Sequence, residues 1–115
     1  MFNIPNQRQI VAGVEKLLQS IKDDYAKFNN NENMRKEFNE GLDYTVGKKY
    51  IKIVRYGPNR SFPSVWGFVA MEPDAQFFEG DILMAAGWSK PARNQARGNV
   101  FSGYDIEWTG PKYLR

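Results

Sequence analysis

A stripe of apolar side chains near the start of the chain limits the fold more than any other feature. Its members recur at spacings of three and four residues, which places them on one face of an α-helix. They are Ile10, Val14, Leu17, Leu18, Ile21, Tyr25 and Phe28. Pro5 and Asn6 are helix-start signals and the run "NNNEN" at 29–33 is a stop signal, so the pattern predicts a helix from about 6 to 28.

A second, shorter helix is predicted directly after the asparagine run. Met34, Phe38 and Leu42 repeat at every fourth position, and Gly41 offers a helix end. The repeat therefore predicts a helix from about 32 to 41.

From Tyr44 onward, the apolar residues change to the alternation that is typical of β-strands. The run "KKYIKIVRY" at 48–56 puts Ile51 and Ile53 on one face, and "SVWGFVAM" at 64–71 forms a second strand after the breakers in "GPNRSFP". We expect a third strand in "DILMAAGW" at 81–88 and a last strand or hairpin from "NVF" to "YDIEWTG", residues 99–110.

These elements predict one α+β domain over residues 1–115. Its helical part covers residues 1–43 and its sheet part residues 44–115, because the run "NNN" at 29–31 is too short to separate two domains. We expect the long helix, with the short second helix if it forms, to pack on a small twisted antiparallel sheet or a partly open barrel.

The chain contains neither cysteine nor histidine. Their absence excludes disulfides, thiolate metal sites, cysteine nucleophiles and an imidazole base. The candidate acids of the sheet half are Asp81, Asp105 and Glu107. Asp105 and Glu107 alternate with apolar neighbours, so we expect them to be exposed rather than catalytic. We therefore predict no enzyme activity, no catalytic residue, no metal and no cofactor.

Three glycines in the last third of the chain raise the question of a phosphate loop. Gly98, Gly103 and Gly110 match neither the Walker spacing nor GxGxxG after a strand. We expect them to form turns at backbone angles that other residues avoid.

The net charge is +3, which favours polyanions only weakly. The N-terminal residues lack the pattern of a secretory signal, and no apolar run reaches the length of a membrane span. The expectation is a cytoplasmic protein without a membrane partner.

Much of the sheet part is similar to small uncharacterised proteins of tailed phages that infect marine cyanobacteria. The resemblance covers most of residues 44–114. It rests on the stretches 65–69, 80–83, 96–100 and 108–111 and on Trp88, Pro91, Ala92 and Asn94. It implies a phage origin, and hence the cytoplasm of a host cell, but no roles for individual residues.

The stretch "GWSKPARNQARGNVFSGY" at 87–104 combines cations with aromatic rings and amides, without a carboxylate. Cations can hold phosphates while rings stack on bases, which together suit sequence-tolerant binding of single strands. The candidate binding residues are Trp88, Lys90, Arg93, Asn94, Arg97, Asn99 and Phe101. Five more cations extend the patch if their strand lies beside this loop: Lys48, Lys49, Lys52, Arg55 and Arg60.

A structural interpretation competes with binding at this stretch. Arg93 and Arg97 would then pair with acids or loop carbonyls and keep a long connection rigid, while Trp66, Trp88 and Trp108 fill the core. The sequence leaves both interpretations open.

Two functional hypotheses follow. The first is a small, non-enzymatic accessory protein that binds a partner through its sheet half, with single-stranded nucleic acid favoured. The alternative is a structural or protein-interaction module, in some oligomeric state that the sequence does not define, whose helix stripe contacts another chain.

Overall fold

The computed structural model describes residues 3–111, with the side chains of residues 3–8 outside that description. Two helices, α1 (Asn3–Phe28) and α2 (Glu32–Gly41), precede a sheet of β1 (Leu42–Val46), β2 (Tyr50–Arg55), β3 (Ser64–Ala70) and β4 (Ile82–Leu83). Two hairpins follow: β5 (Gly98–Asn99) with β6 (Gly103–Tyr104), and β7 (Ile106–Glu107) with β8 (Gly110–Pro111). This is the predicted α+β architecture.

The apolar stripe of α1 forms one side of the core. Its residues from Ile10 to Tyr25 are at most 8% exposed, as the spacing predicts, but Phe28 is 70% exposed. Phe28 is the last residue of the helix and lies at the border of the core, with its ring centroid 5.1 Å from that of Trp108 and 6.3 Å from that of Tyr25. The predicted start at residue 6 is also wrong, because Pro5 lies in the first turn, where proline is tolerated, and Asn6 lies inside the helix.

Helix α2 has the predicted bounds. The Asn31 side chain accepts a hydrogen bond of 3.0 Å from the Met34 backbone N–H and so caps the helix. Phe38 is buried and stacks on Tyr25 with ring centroids 4.1 Å apart, whereas Met34 is 48% exposed. The helix therefore packs through its second half.

The sheet is antiparallel and open, in the order β1-β2-β3-β4. Strands β2 and β3 lie inside the predicted runs. Strand β1 was not predicted, because Leu42 fits the helical repeat and only the pairing of 42–46 with β2 reveals an extended strand.

Most of the run predicted as the third strand is not in the sheet. Only Ile82 and Leu83 pair with β3, and the chain then turns so that Ala85 bridges to Pro91. Alanine and glycine are weak strand formers, which lets this run fold back on itself. The predicted last strand or hairpin is found as two short hairpins, in which Gly98, Gly103 and Gly110 all have positive φ.

The sheet is covered on both faces. On the first face, Ile51, Ile53 and Trp66 pack against the stripe of α1. A bulge in β3, opposite the step from Ile53 to Val54, turns Trp66 to this face out of normal alternation. On the second face, Phe68 and Leu83 pack with Phe77, which belongs to the connection after β3.

The C-terminal hairpins are fastened to both layers. The Trp66 indole N–H donates to the Glu107 carbonyl at 3.0 Å, and the Asp24 carboxylate accepts from the Trp108 backbone N–H at 2.9 Å. Asp105 and Glu107 are exposed, as expected, while Trp108 packs against the first core.

Within residues 3–111, neither helix has the length and hydropathy of a membrane span.

Gly41 is the position at which the helices meet the sheet most closely. A Cβ there would lie far inside van der Waals contact with the Tyr56 carbonyl oxygen, and the Tyr56 N–H donates to the Gly41 carbonyl at 2.8 Å. Gly41→Ala should therefore lower the free energy of unfolding by about 1–3 kcal/mol, measured by denaturant titration. Gly87→Ala is the control, since its Cβ meets nothing within 4 Å; equal stability of the two variants would contradict this packing.

Candidate nucleic-acid interface

Apart from β4, the chain between β3 and β5, residues 71–97, covers the second face of the sheet; we call it the covering segment. Phe77 is 4% exposed against Phe68 and Leu83, and Ala85 and Ala96 pack at the edge of this cluster. Because its apolar side chains fill a core, the segment holds its polar side chains in fixed places.

Arg93 fastens the covering segment to the sheet. Its guanidinium donates to Asp74 at 2.8 Å and to the Tyr50 hydroxyl, and lies 4.8 Å from the Phe77 ring centroid. Its carbonyl accepts a hydrogen bond from the Gln76 amide. These contacts support the structural interpretation of Arg93, whose charge is balanced by Asp74.

Asp74 is organised in turn by the backbone. Its carboxylate accepts hydrogen bonds of 2.8 Å from the N–H groups of Gln76 and Phe77. These two bonds, with the hydrogen bond from Arg93, lower the pKa of Asp74 to about 2. The ion pair is therefore intact over the whole neutral range.

Arg97 and Asn94 close the end of the covering segment. The Arg97 guanidinium donates to the Asn94 amide oxygen at 2.9 Å, to the Gln95 carbonyl at 3.1 Å and to the Met84 sulfur at 2.9 Å. These contacts also agree with the structural interpretation, since they join the start of the segment's last turn to the residue after β4.

The side chain of Asn99 connects the covering segment to the β5–β6 hairpin through hydrogen bonds. Its amide donates to the Glu79 carbonyl at 2.8 Å and to the Asp81 carboxylate at 2.9 Å, and its oxygen accepts from the Phe101 N–H at 2.8 Å. Asp81 is 7% exposed, so this pair is a buried polar contact. Phe101 is 49% exposed.

Trp88 and Lys90 have no such anchoring function. Both lie in a tight turn in which the Ala86 N–H donates to the Lys90 carbonyl at 2.8 Å. Trp88 is 51% exposed, so the expectation that it fills the core is wrong, because the turn carries it away from both clusters. The Lys52 ammonium lies over its ring, 4.1 Å from the centroid.

The turn between β1 and β2 adds two lysines beside this pair. Lys48, Lys49 and Lys52 line a cleft of about 320 Å³ together with Tyr50, Phe68 and Ser89; we call it the lysine cleft. No carboxylate lines it, and within the described residues none of the three lysines forms an ion pair. Lys52 stands on the second face beside Phe68, its partner in β3.

The other two candidate extensions of the patch lie elsewhere. Arg55 is on the first face, 5.0 Å from the Phe38 ring centroid and 5.2 Å from that of Trp108, and burial lowers its pKa. Arg60 pairs with Asp43 at 3.3 Å. Neither residue faces the lysine cleft.

The structure thus divides the seven candidate residues into two groups. Trp88 and Lys90 belong to an exposed basic and aromatic surface, together with the lysines of β2 and its turn. The other five, Arg93, Asn94, Arg97, Asn99 and Phe101, lie in the last part of the covering segment and in the β5–β6 hairpin. The contact of Lys52 with Trp88 was missed, although the alternation in 48–56 places Lys52 on the face opposite Ile51.

Among the described residues, no group of three acids is placed to hold a metal ion. Comparison of the chain with protein-family models, curated proteins and solved structures gives no match, so its geometry is the basis for a functional proposal.

The Asp74–Arg93 pair predicts how stability depends on pH. The pKa of Asp74 in the folded chain, about 2, lies below its ordinary value of 3.8, so its stabilising effect is present above that value and is lost as the pH falls towards 2. Asp74→Asn should lower the melting temperature at pH 7, and the difference from the parent should narrow between about pH 4 and 2. Glu72→Gln is the control, and an Asp74→Asn difference that does not change with pH would contradict the argument.

Proposed function

We propose that this chain is a non-enzymatic binding module whose lysine cleft and Trp88 bind single-stranded nucleic acid. The observation that carries the proposal is the position of Lys52 over Trp88, beside two exposed lysines that have no acidic partner among the described residues.

The two components that single-strand binding requires lie side by side here. One side of the Trp88 ring is covered by the Lys52 ammonium, and the exposed half of the side chain is available for a base to stack on. Lys48 and Lys49 are exposed and can neutralise phosphates without first leaving a carboxylate. An open cleft next to a ring suits an unpaired strand better than a duplex, whose bases are already stacked.

The resemblance to phage proteins extends the proposal to its biological setting. We place the chain among small accessory proteins of a phage, acting in the cytoplasm of the infected host cell.

Binding is tested by fluorescence anisotropy with a labelled 12-nucleotide single strand and a matched duplex at several salt concentrations. Affinity for the single strand should fall with salt, with a log–log slope of about −2 to −3 for three to four phosphate contacts. Trp88→Ala should weaken binding about tenfold through lost stacking. Lys48→Ala combined with Lys49→Ala should make the dependence of log affinity on log salt concentration less steep, by about 1.4 in the slope.

The matched control removes the same charge from the other side of the protein. Lys16→Ala combined with Lys27→Ala takes two exposed cations from α1 and should leave the affinity nearly unchanged. Equal losses in both double variants would mean that net charge alone attracts the strand, and no binding at low salt would reject the proposal. Arg93 and Arg97 are unsuitable positions for this test because they hold the covering segment in place.

A protein-interaction module is the second candidate. The stripe of α1 is buried in the chain's own core, so a partner would need another surface. Phe28 and Met34 provide one, at 70% and 48% exposed, next to the cluster of Tyr25 and Phe38. An exposed apolar patch is typical of such a surface.

Light scattering after size exclusion tests this second candidate. It predicts a concentration-dependent dimer that Phe28→Ser combined with Met34→Ser converts to a monomer. A monomeric parent at all concentrations would contradict self-association through this patch.

A further inference from the structure

One residue, Arg93, joins the lysine cleft to a second cleft. Its guanidinium bonds to Tyr50, which lines the lysine cleft, and its carbonyl accepts from Gln76, which lines the second. The second cleft measures about 440 Å³, and we call it the amide cleft after its lining. Its principal side chains are Gln76, Phe78, Asn94, Gln95, Asn99 and Ser102.

The amide cleft offers no cation to a ligand. No lysine or arginine lines it, and its one acid, Asp81, accepts hydrogen bonds through both oxygens, from the Phe78 N–H and the Asn99 amide. Asn99 is likewise saturated by its contacts. These two residues form a rigid floor, and a phosphate would find no cation there.

Two amides on the wall of the cleft keep hydrogen-bonding capacity. The Asn94 oxygen is occupied by Arg97 and the Gln95 N–H, but its NH₂ group makes no hydrogen bond within residues 3–111. The Gln95 side chain makes none there either. Phe78 is 76% exposed beside them and offers a ring face.

We propose that the amide cleft accepts a purine base of the strand that is bound at the lysine cleft. The free Asn94 NH₂ would donate to N7 of the purine, the Gln95 amide would complete a second bond to its exocyclic group, and Phe78 would stack on the ring. This inference rests on the proposed function and adds a base preference to it. Arg93 contacts a lining residue of each cleft, so we expect a strand that continues past Arg93 to reach both.

The inference is tested by comparing the affinities for 12-mers of deoxyadenosine and of thymidine. The parent should prefer the adenine strand at least fivefold, the lower end expected for a good bidentate contact. Gln95→Ala should reduce this ratio to less than twofold. Gln9→Ala, an exposed glutamine on α1, is the control and should leave the ratio unchanged.

Two more variants keep the result independent of folding. Asn94→Asp retains the oxygen that accepts from Arg97 but loses the NH₂ donor. Its carboxylate repels the adenine and the thymine strand equally, so the ratio of the two affinities still reports the base preference. Phe78→Ala should weaken adenine binding more than thymine binding. Both variants should keep the parent's melting temperature at pH 7.

The outcomes distinguish a failure of the proposed function from a failure of the purine site alone. If neither strand binds, the proposed function and this inference are both wrong. If both strands bind and Trp88→Ala weakens them, but the ratio is near one or survives Gln95→Ala, only the purine site is wrong. Maltohexaose binding that Gln95→Ala abolishes would also overturn it, because the cleft would then be a sugar site.

Discussion

The burial of β3 on both faces is the constraint on which the rest of the structure depends. Its residues from Trp66 to Ala70 are all buried, whereas an antiparallel sheet commonly keeps one face in water. Helix α1 supplies one cover, and no helix is left for the other. The covering segment fills that place with irregular chain, whose backbone groups need partners. The Asp74 carboxylate accepts from two of its N–H groups, and the Asn99 amide donates to one of its carbonyls.

This need for partners decides which cations are available to a ligand. Arg93 and Arg97 stand in a stretch without carboxylates, residues 82–104, yet both form contacts within the fold. Lys48 and Lys49, more than forty residues earlier, lie in the turn between β1 and β2, and within the described residues their side chains form no ion pair. The charge available to a ligand is therefore what remains after the second face has been covered.

The sequence predicts the elements whose signal is local. Both helices follow from apolar periodicity, and β2 and β3 follow from alternation. Strand β1 and the shortness of β4 depend on pairing with distant residues, which a local pattern does not contain. The candidate site follows the same rule: Trp88 was identified by its neighbours, but its contact with Lys52 required the fold to bring together residues 36 positions apart.

The cations that stabilise the fold differ from those that we propose to bind a ligand. This separation lets a ligand bind without a loss of folding free energy. Recruiting Arg93 to a phosphate would leave Asp74 without its partner and loosen the second core. The lysines of the cleft have no acid to release, and Trp88 is already held by a hydrogen-bonded turn and by Lys52. A surface that is ordered before binding loses little conformational entropy when a ligand arrives. Substitution of Lys48 or Lys49 should therefore change affinity without changing stability, whereas substitution of Arg93 should lower stability as well.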